Sequence, residues 1–451
     1  MSYFEEREKE ILGEQLYREL FSAGNTAPAR GVTVNTSVME AESFAVRAPF
    51  TVEKSPFCSA GFYLRQDCKP GLDPWHHAGV YYVQEPSASG AAPLLGAQPG
   101  ERVLDLCAAP GGKSAQLAAA MQGGGLLFCN EYETKRAAVL LSNIERMGTS
   151  NAVVLNEAPV HLAAALPGFF DRVLVDAPCS GEGMFRKEEA ALRQHSAALV
   201  KQCAALQAEI LDAAAVLLRP GGEMVYSTCT FSPEEDEGSI GAFLHLHPEF
   251  ELLPSGAAFG CPGHEACCVN GPIDVSLVRR VYPCHGGEGH FMARLRKKES
   301  CEAKYTEPHR KKTPRLPAPY QAFMEALFPA LAYENILVEG AKIYLLPGLP
   351  LPPLKGLKVL RAGVLAGEMV KDRFQPHHHL FKAFGTLCVN KEELRRDEAR
   401  TAAFLRGEEI SAVQAQDGFC AVLTDGVPLG FGKKSGGTVK NHYPKGLRNF
   451  K

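Results

Sequence analysis

The sequence predicts an α/β protein built on a parallel sheet, with its functional site at the carboxyl ends of the strands. Three stretches predict it. Val103 to Ser114 reads VLDLCAAPGGKS: apolar residues around Asp105, a break at Pro110-Gly111-Gly112, then the Ala-rich helical run SAQLAAAM. Arg172 to Lys187 (RVLVDAPCSGEGMFRK) and Glu223 to Glu237 (EMVYSTCTFSPEEDE) each read as a strand entering a polar loop, and each loop holds one cysteine, Cys179 or Cys229. A strand, a tight Gly loop and a helix together present backbone N–H groups and a helix N-terminus to a ligand.

The first loop narrows the ligand. GxxxxGK[ST] needs Gly at 107, where Cys107 stands, so a phosphate-cradling loop is not expected. GxGxxG is absent, which disfavours a dinucleotide. A Gly-poor version of the turn suits a ligand without phosphates, such as S-adenosylmethionine.

The chain of 451 residues has room for two to four domains. No apolar run reaches the length of a membrane span and Met1 to Leu20 is too acidic for a signal peptide, so a cytoplasmic monomer is expected. The fourteen cysteines lie mostly in apolar stretches and read as reduced thiols. Cys261, Cys267, Cys268 and Cys284 lack paired CxxC spacing, and no metal site is read from them. A net charge of −3 confines any nucleic-acid surface to a local patch.

Residues 1–90 are expected to form a small N-terminal domain. FEEREKEILGEQLYRELF sets Ile11, Leu16, Leu20 and Phe21 near one helical face. ARGVTVNT follows, then short strands around Phe50 to Val52 and Gly61 to Leu64. WHHAGVYYVQEPSAS carries the only tryptophan, reads His76 and His77 as solvated loop residues, and leads to a helix that Ser87 or Ser89 can cap.

Residues 91–298 form the alternating unit. GLLFCNEYETKRAAVLLSNIERMG is a second strand ending at Asn130-Glu131, followed by a helix. A carboxylate at that strand end is where such folds hold the two hydroxyls of a ribose, and Glu131 stands there. The same residue suits a helix N-terminus. NAVVLNEAP is the third strand. Leu192 to Leu218 reads as one long helix stopped by Arg219-Pro220-Gly221-Gly222, and Val278 to Lys298 as a closing pair of strands around a Gly turn.

Residues 299–384 hold a Lys/Arg/Pro-rich linker and an intermediate domain, with a helix at Tyr320 to Leu331 and strands in IYLLPGLP and GLKVLRAGVLAGEM. His377, His378 and His379 point in different directions on a helix and are not expected to share a metal. Residues 385–451 have short strands, a hairpin signal at Asp425-Gly426 and a basic end. Lys433, Lys434, Lys440, Lys445, Arg448 and Lys451 lie there with no acidic residue between them.

CAAPGGK, DAPCSGEGMFRK and YSTCTFSPEEDE, in this order, resemble the motifs of the Sun/Nop family of RNA cytosine-carbon-5 methyltransferases, and within it the bacterial RsmF type. VRRVYPCHGGEGHF resembles that family's closing signature. The resemblance covers most of the chain. It implies a class I, Rossmann-like methyltransferase domain between an N-terminal RNA-binding-type domain and a PUA-like, β-rich RNA-binding domain. It implies S-adenosylmethionine as cofactor, held by Cys107, Ala108, Ala109, Pro110, Gly111, Gly112, Lys113, Glu131 and Asp176. It implies RNA as partner, either ribosomal RNA or an assembled small subunit. Arg30 and Asn35 resemble a segment placed near RNA in the family; read alone, they are equally a loop arginine and a turn asparagine. Where the family shows an Asp near adenine, this chain has Asn156-Glu157-Ala158.

The chemistry the resemblance implies is demanding. Carbon 5 of cytosine is a poor nucleophile until a thiolate adds to carbon 6. Hydrogen bonding or protonation at N3 stabilises the charge on the ring. A base then removes the carbon-5 proton so that the thiolate can leave. Spacing does not separate the two cysteines. Pro178-Cys179 alone resembles the nucleophile loop of DNA cytosine methyltransferases, whereas PC in one loop and TC in the next resembles the RNA family, whose nucleophile is in the second. The resemblance thus implies Cys229 as nucleophile, Cys179 in product release, and Asp176 facing N3 with a second contact to the cofactor. Phe185, Arg186 and Lys187 are expected to stack on and hold an unstacked strand. A transfer-RNA substrate would use the same core. A non-catalytic ribosome-assembly factor would need neither cysteine, and a small-molecule or protein methyltransferase would leave the basic end unexplained.

Overall fold

The computed structural model describes residues 3–22, 27–65, 68–299 and 314–448. The N-terminal apolar repeat forms two helices, α1 (Tyr3–Leu12) and α2 (Glu14–Leu20), broken at Gly13, whose φ of 75° only glycine adopts freely. Their apolar side does not pack on the N-terminal domain. Phe4 and Leu20 are buried against Phe231 and Tyr282 of the alternating unit. The N-terminal domain itself is an antiparallel sheet in the order Val52–Lys54, Gly61–Leu64, Gly31–Val34, Tyr81–Gln84. Ser87–Ser89 is a single 3-10 turn, and neither serine caps the following helix, Ala91–Leu95.

The main sheet follows. Its strands are β1 (Arg102–Asp105), β2 (Leu126–Asn130), β3 (Ala152–Leu155), β4 (Phe170–Asp176), β5 (Leu218–Thr228), β6 (Phe250–Leu253), β7 (Arg279–Val281), β8 (His290–Lys297) and β9 (Val359–Ala362). The order is β6-β8-β5-β4-β1-β2-β3-β9, with β7 paired to β8. The five central strands are parallel, and β6, β7, β8 and β9 are antiparallel to their neighbours. Alternation along the strands explains the layers. Leu104 and Phe128 face one core with Leu211 and Ala214 of α5 (Ala197–Leu217), while Val103 and Leu127 face another with Leu117 of α3 (Gly112–Ala120) and Leu140 of α4 (Thr134–Arg146). Helices therefore cover both faces, as a parallel sheet requires. The expected single helix from Leu192 breaks at His195, where Ser196 Oγ accepts from Leu199 N and caps α5.

Strand β9 comes from the segment beyond the linker. At Gly363 (φ 63°) the chain leaves the main sheet for a second one; a Cβ there would stand 2.1 Å from the Leu345 carbonyl oxygen. The last sheet, residues 391–441, turns at Asp425-Gly426 with positive φ at both, as its hairpin signal requires. Its core is continuous with that of the N-terminal domain: Val32, Phe44 and Trp75 join Phe404, Val422 and Leu429. Trp75 Nε1 donates to Asp425 Oδ2 at 3.0 Å.

That junction corrects the reading of the histidines. His76 and His77 lie in helix Pro74–Ala78, not a loop, and His77 Nδ1 is 3.1 Å from Tyr443 Oη. His377 caps α6 (His378–Phe384), and the buried Lys382 donates from Nζ to the Ala78 and Pro428 carbonyls. Burial lowers the pKa of His76 to about 3 and of His77 and His377 to about 4. These imidazoles stay neutral in the fold, while the unfolded chain takes up protons below about 6.5. Stability is therefore complete above that pH and falls as pH drops toward 4, by about 2 kcal/mol per histidine at pH 5. The urea midpoint is expected to fall between pH 7 and pH 5, and His77→Gln should flatten that fall. Equal midpoints would contradict it.

Candidate active site

The carboxyl ends of β1 and β4 meet at a cleft of about 230 Å³, lined among others by Tyr82, Gln84, Asp105, Cys107, Ala108, Ala109, Pro110, Gly112, Lys113 and Asp176. Gly112 allows the N-terminal domain to approach: a Cβ there would be 2.5 Å from Gln84 Oε1. Ser114 Oγ donates to Asp105 Oδ2 at 2.7 Å, and Asp105 Oδ1 is buried without a hydrogen-bond partner among the described residues. Burial pushes the Asp105 carboxyl up to about 7. The Cys107 thiol is likewise raised by burial, which suits a wall rather than a nucleophile.

Parallel pairing of β4 with β5, in register Asp176 to Ser227, brings the two cysteine loops side by side. Cys179 Sγ and Cys229 Sγ are 3.3 Å apart, and Cys229 N donates to Cys179 Sγ at 3.4 Å. Hydrogen bonding to Cys229 and burial raise the Cys179 thiol well above its ordinary value, so it keeps its proton. Asp176 Oδ2 is 2.6 Å from Lys113 Nζ, and Oδ1 accepts from Ser227 Oγ at 2.7 Å. Burial would raise this carboxyl, but the Lys113 ammonium, with His290 Nε2 at 3.8 Å, outweighs it and holds the group well below the usual carboxylate range.

Residues 92–296 match the family described as 16S rRNA methyltransferase RsmB/F. Residues 2–86 match the N-terminal domain of 16S rRNA methyltransferase RsmF, 322–384 the RsmF first C-terminal domain, and 391–449 the methyltransferase RsmF PUA domain. The ribosomal RNA small subunit methyltransferase F of Klebsiella pneumoniae is 34% identical over 450 residues, covering 93% of this chain and 90% of that protein. The chain belongs to the RsmF branch of the RsmB/F family. The Vibrio parahaemolyticus RsmF is 32% identical over 98% of this chain and 96% of its own length. A solved methyltransferase homolog from Pyrococcus horikoshii is 29% identical with a TM-score of 0.58, over 65% of this chain and 93% of that one. NSun6 from the same organism shares the fold, at 20% identity and a TM-score of 0.55 over 66% of this chain and 98% of that one.

In this RsmF-type chain Glu131 is buried beyond the residues that line the cleft. Its Oε1 accepts from Glu133 N at 2.9 Å, and Oε2 is 3.4 Å from Arg136. At the end of the third strand, where the resemblance leaves the usual carboxylate missing or shifted by one, both side chains are engaged within the chain. Asn156 Nδ2 donates to both the Glu131 and Tyr132 carbonyls at 2.8 Å, bracing the loop that carries Glu131, and its Oδ1 accepts from Lys358 Nζ. Glu157 is turned away to accept from Lys358 N at 2.6 Å. Glu131→Ala is expected to weaken S-adenosylmethionine binding by about 1.5–3 kcal/mol, as two ribose hydroxyls lose a charged acceptor. Calorimetry measures it, and unchanged affinity would leave Glu131 as a brace of Glu133 N alone.

Of the two readings of Asn35, the turn asparagine is the one seen, with Ser37 N donating to its Oδ1 at 3.3 Å. Asn35 is buried, with Nδ2 directed at the Gly79 and Met147 carbonyls, so it braces the domain junction. Phe185 turns inward, edge-on to Phe4 with centroids 5.4 Å apart, because α1 docks over its loop; Arg186 faces Glu288 at 3.3 Å. Reading the sequence missed Lys113 as the partner of Asp176, and it missed His290, whose place in the Gly-rich closing signature was the available signal. Among the described residues no three His, Cys, Asp or Glu side chains gather as a metal-binding group, and no helix is long and apolar enough to cross a membrane.

Proposed function

We propose that this chain methylates carbon 5 of a cytosine in small-subunit ribosomal RNA, using S-adenosylmethionine and a covalent adduct on Cys229. The observation that carries the reading is the pair of sulfurs 3.3 Å apart beside the Asp105–Lys113 cleft. The cleft fits part of the cofactor: the partnerless Asp105 Oδ1 suits an ammonium or hydroxyl, and residues 107–110 and 112 line it, while Glu131, outside that lining, would hold the ribose where the ligand extends past the cleft. When bound, that cofactor supplies an electrophilic methyl group.

Each residue has a step. Cys179, whose thiol is raised by hydrogen bonding to Cys229 and by burial, lies 3.3 Å from Cys229 Sγ, close enough to hydrogen-bond the thiolate that the reaction needs there. That thiolate adds to carbon 6 of the base, and carbon 5 becomes nucleophilic. As the thiolate adds, the proton shared between Lys113 Nζ and Asp176 Oδ2, 2.6 Å apart, passes to N3 and offsets the charge the ring gains, and it returns to that pair when the thiolate leaves. Water takes the carbon-5 proton, the bond from carbon 6 to sulfur breaks, and Cys179, 3.3 Å away, can hydrogen-bond the departing Cys229 thiolate. The names of the relatives support ribosomal rather than transfer RNA. Bisulfite mapping of both RNAs, from cells with and without this protein, tests the substrate. Loss of methylation at cytosines of 16S ribosomal RNA is expected; loss confined to transfer RNA would contradict the reading.

A further inference from the structure

We infer that α1 is a working part of this active site: Arg7 holds the Glu182 carboxylate that ties the Cys179 loop to the Cys229 loop, and the two residues together set the spacing of the sulfurs. The inference rests on the covalent reading above for its meaning, not for its geometry.

Glu182 lies three residues beyond Cys179 in the turn Glu182–Met184, and its side chain is fully enclosed. Its Oε2 accepts from Phe231 N at 3.0 Å, two residues beyond Cys229. One carboxylate therefore bridges the two loops. Beside it, Gly183 N donates to the Cys229 carbonyl at 2.9 Å, and a Cβ on Gly183 would stand 3.0 Å from that oxygen, so the loops touch through backbone. An enclosed carboxylate is costly without a partner. Arg7, 175 positions away, supplies it bidentately, Nη1 to Oε1 at 2.9 Å and Nη2 to Oε2 at 2.8 Å, while His195 Nε2 is 2.8 Å from Oε1. Burial would raise Glu182, but His195 and Arg7 together lower it to about 2. Phe4 clamps α1 in place against Phe185 and Phe231. Both Glu182 oxygens are engaged by Phe231 N, Arg7 and His195, so Arg7 and Glu182 act through the two loops and are positioning residues.

The test compares wild type with Arg7→Gln, Arg7→Lys and Glu182→Gln. Glu182→Gln retains an oxygen to accept from Phe231 N, removes the charge and turns the other oxygen, which faces Arg7 and His195, into a donor. Three quantities are measured: S-adenosylhomocysteine affinity by calorimetry, kcat and KM for methyl transfer to ribosomal RNA, and the iodoacetamide alkylation rates of Cys179 and Cys229 by mass spectrometry. Arg7→Gln and Glu182→Gln are expected to lose about 30-fold in kcat, with KM and cofactor affinity within threefold. The ratio of the two alkylation rates should change at least fivefold, and Arg7→Lys should recover part of kcat. Glu182→Gln with wild-type kcat and an unchanged alkylation ratio would overturn the inference, even if Arg7→Gln fails to fold. A parallel loss of cofactor affinity and kcat would also overturn it, showing a merely structural role. If wild type methylates no RNA, the functional reading fails, and the alkylation ratio still decides whether Arg7 and Glu182 set the sulfurs.

Discussion

Cys229→Ala is expected to abolish methyl transfer, by a factor on the order of 10⁶, the scale for removing a covalent nucleophile. The size follows from the chemistry, since without a thiolate on carbon 6 the base offers carbon 5 no electrons for a methyl group. The structural change is small. The neighbouring Cys179 loses its sulfur partner at 3.3 Å, while the ties of Glu182 to Phe231 N and of Gly183 N to the residue-229 carbonyl remain. Folding and cofactor affinity should therefore match wild type, and transfer of a labelled methyl group to ribosomal RNA reads the loss. Turnover within tenfold of wild type would show that Cys229 is not the nucleophile.

Asp176→Ala should damage both fold and reaction. It leaves Lys113 Nζ, whose side chain is 12% exposed, without its acceptor at 2.6 Å, and takes the acceptor from Ser227 Oγ. Removing one member of a fully buried pair costs about 3–5 kcal/mol, and with Asp176 itself 29% exposed the loss here should be smaller, about 1.5–3 kcal/mol. Loss of the group that meets charge on the ring should cost a further factor of about 10²–10³ in turnover. The two effects separate in the double variant Asp176→Ala with Lys113→Met, which removes the stranded charge. Urea unfolding should show most of the stability restored, while methyl transfer stays low. Recovery of turnover together with stability would mean that Asp176 serves only to neutralise Lys113.

Local physics made much of this site legible in the sequence. Branched apolar residues followed by Gly and then Ala mark β1, its loop and α3, and the same logic sets Cys179 and Cys229 at neighbouring strand ends. What escaped has partners far apart along the chain. Arg7 and Glu182 carry no shared period, and an arginine on a helix of mixed charge reads as a solvated face until the helix is seen docked on Phe231. The same holds for Lys113, whose motif position suggested the cofactor while its ammonium is held by Asp176. Phe185 reads as a stacking platform because aromatic and basic residues adjoin; only the approach of Phe4 turns it inward. The strand β9 and the core shared by Trp75 with Phe404 also follow from tertiary contact, which no local pattern encodes.

The assignment of the two cysteines is tested most directly by trapping. Cys179→Ala and Cys229→Ala are incubated with ribosomal RNA and S-adenosylmethionine, then run on a denaturing gel. Without Cys179 the bond to carbon 6 still forms, methyl transfer follows and release slows, so a shifted band of protein joined to methylated RNA is expected. Without Cys229 no such band should appear. An adduct with Cys229→Ala and none with Cys179→Ala would reverse the two roles, and no adduct from either, with turnover retained, would contradict the covalent mechanism.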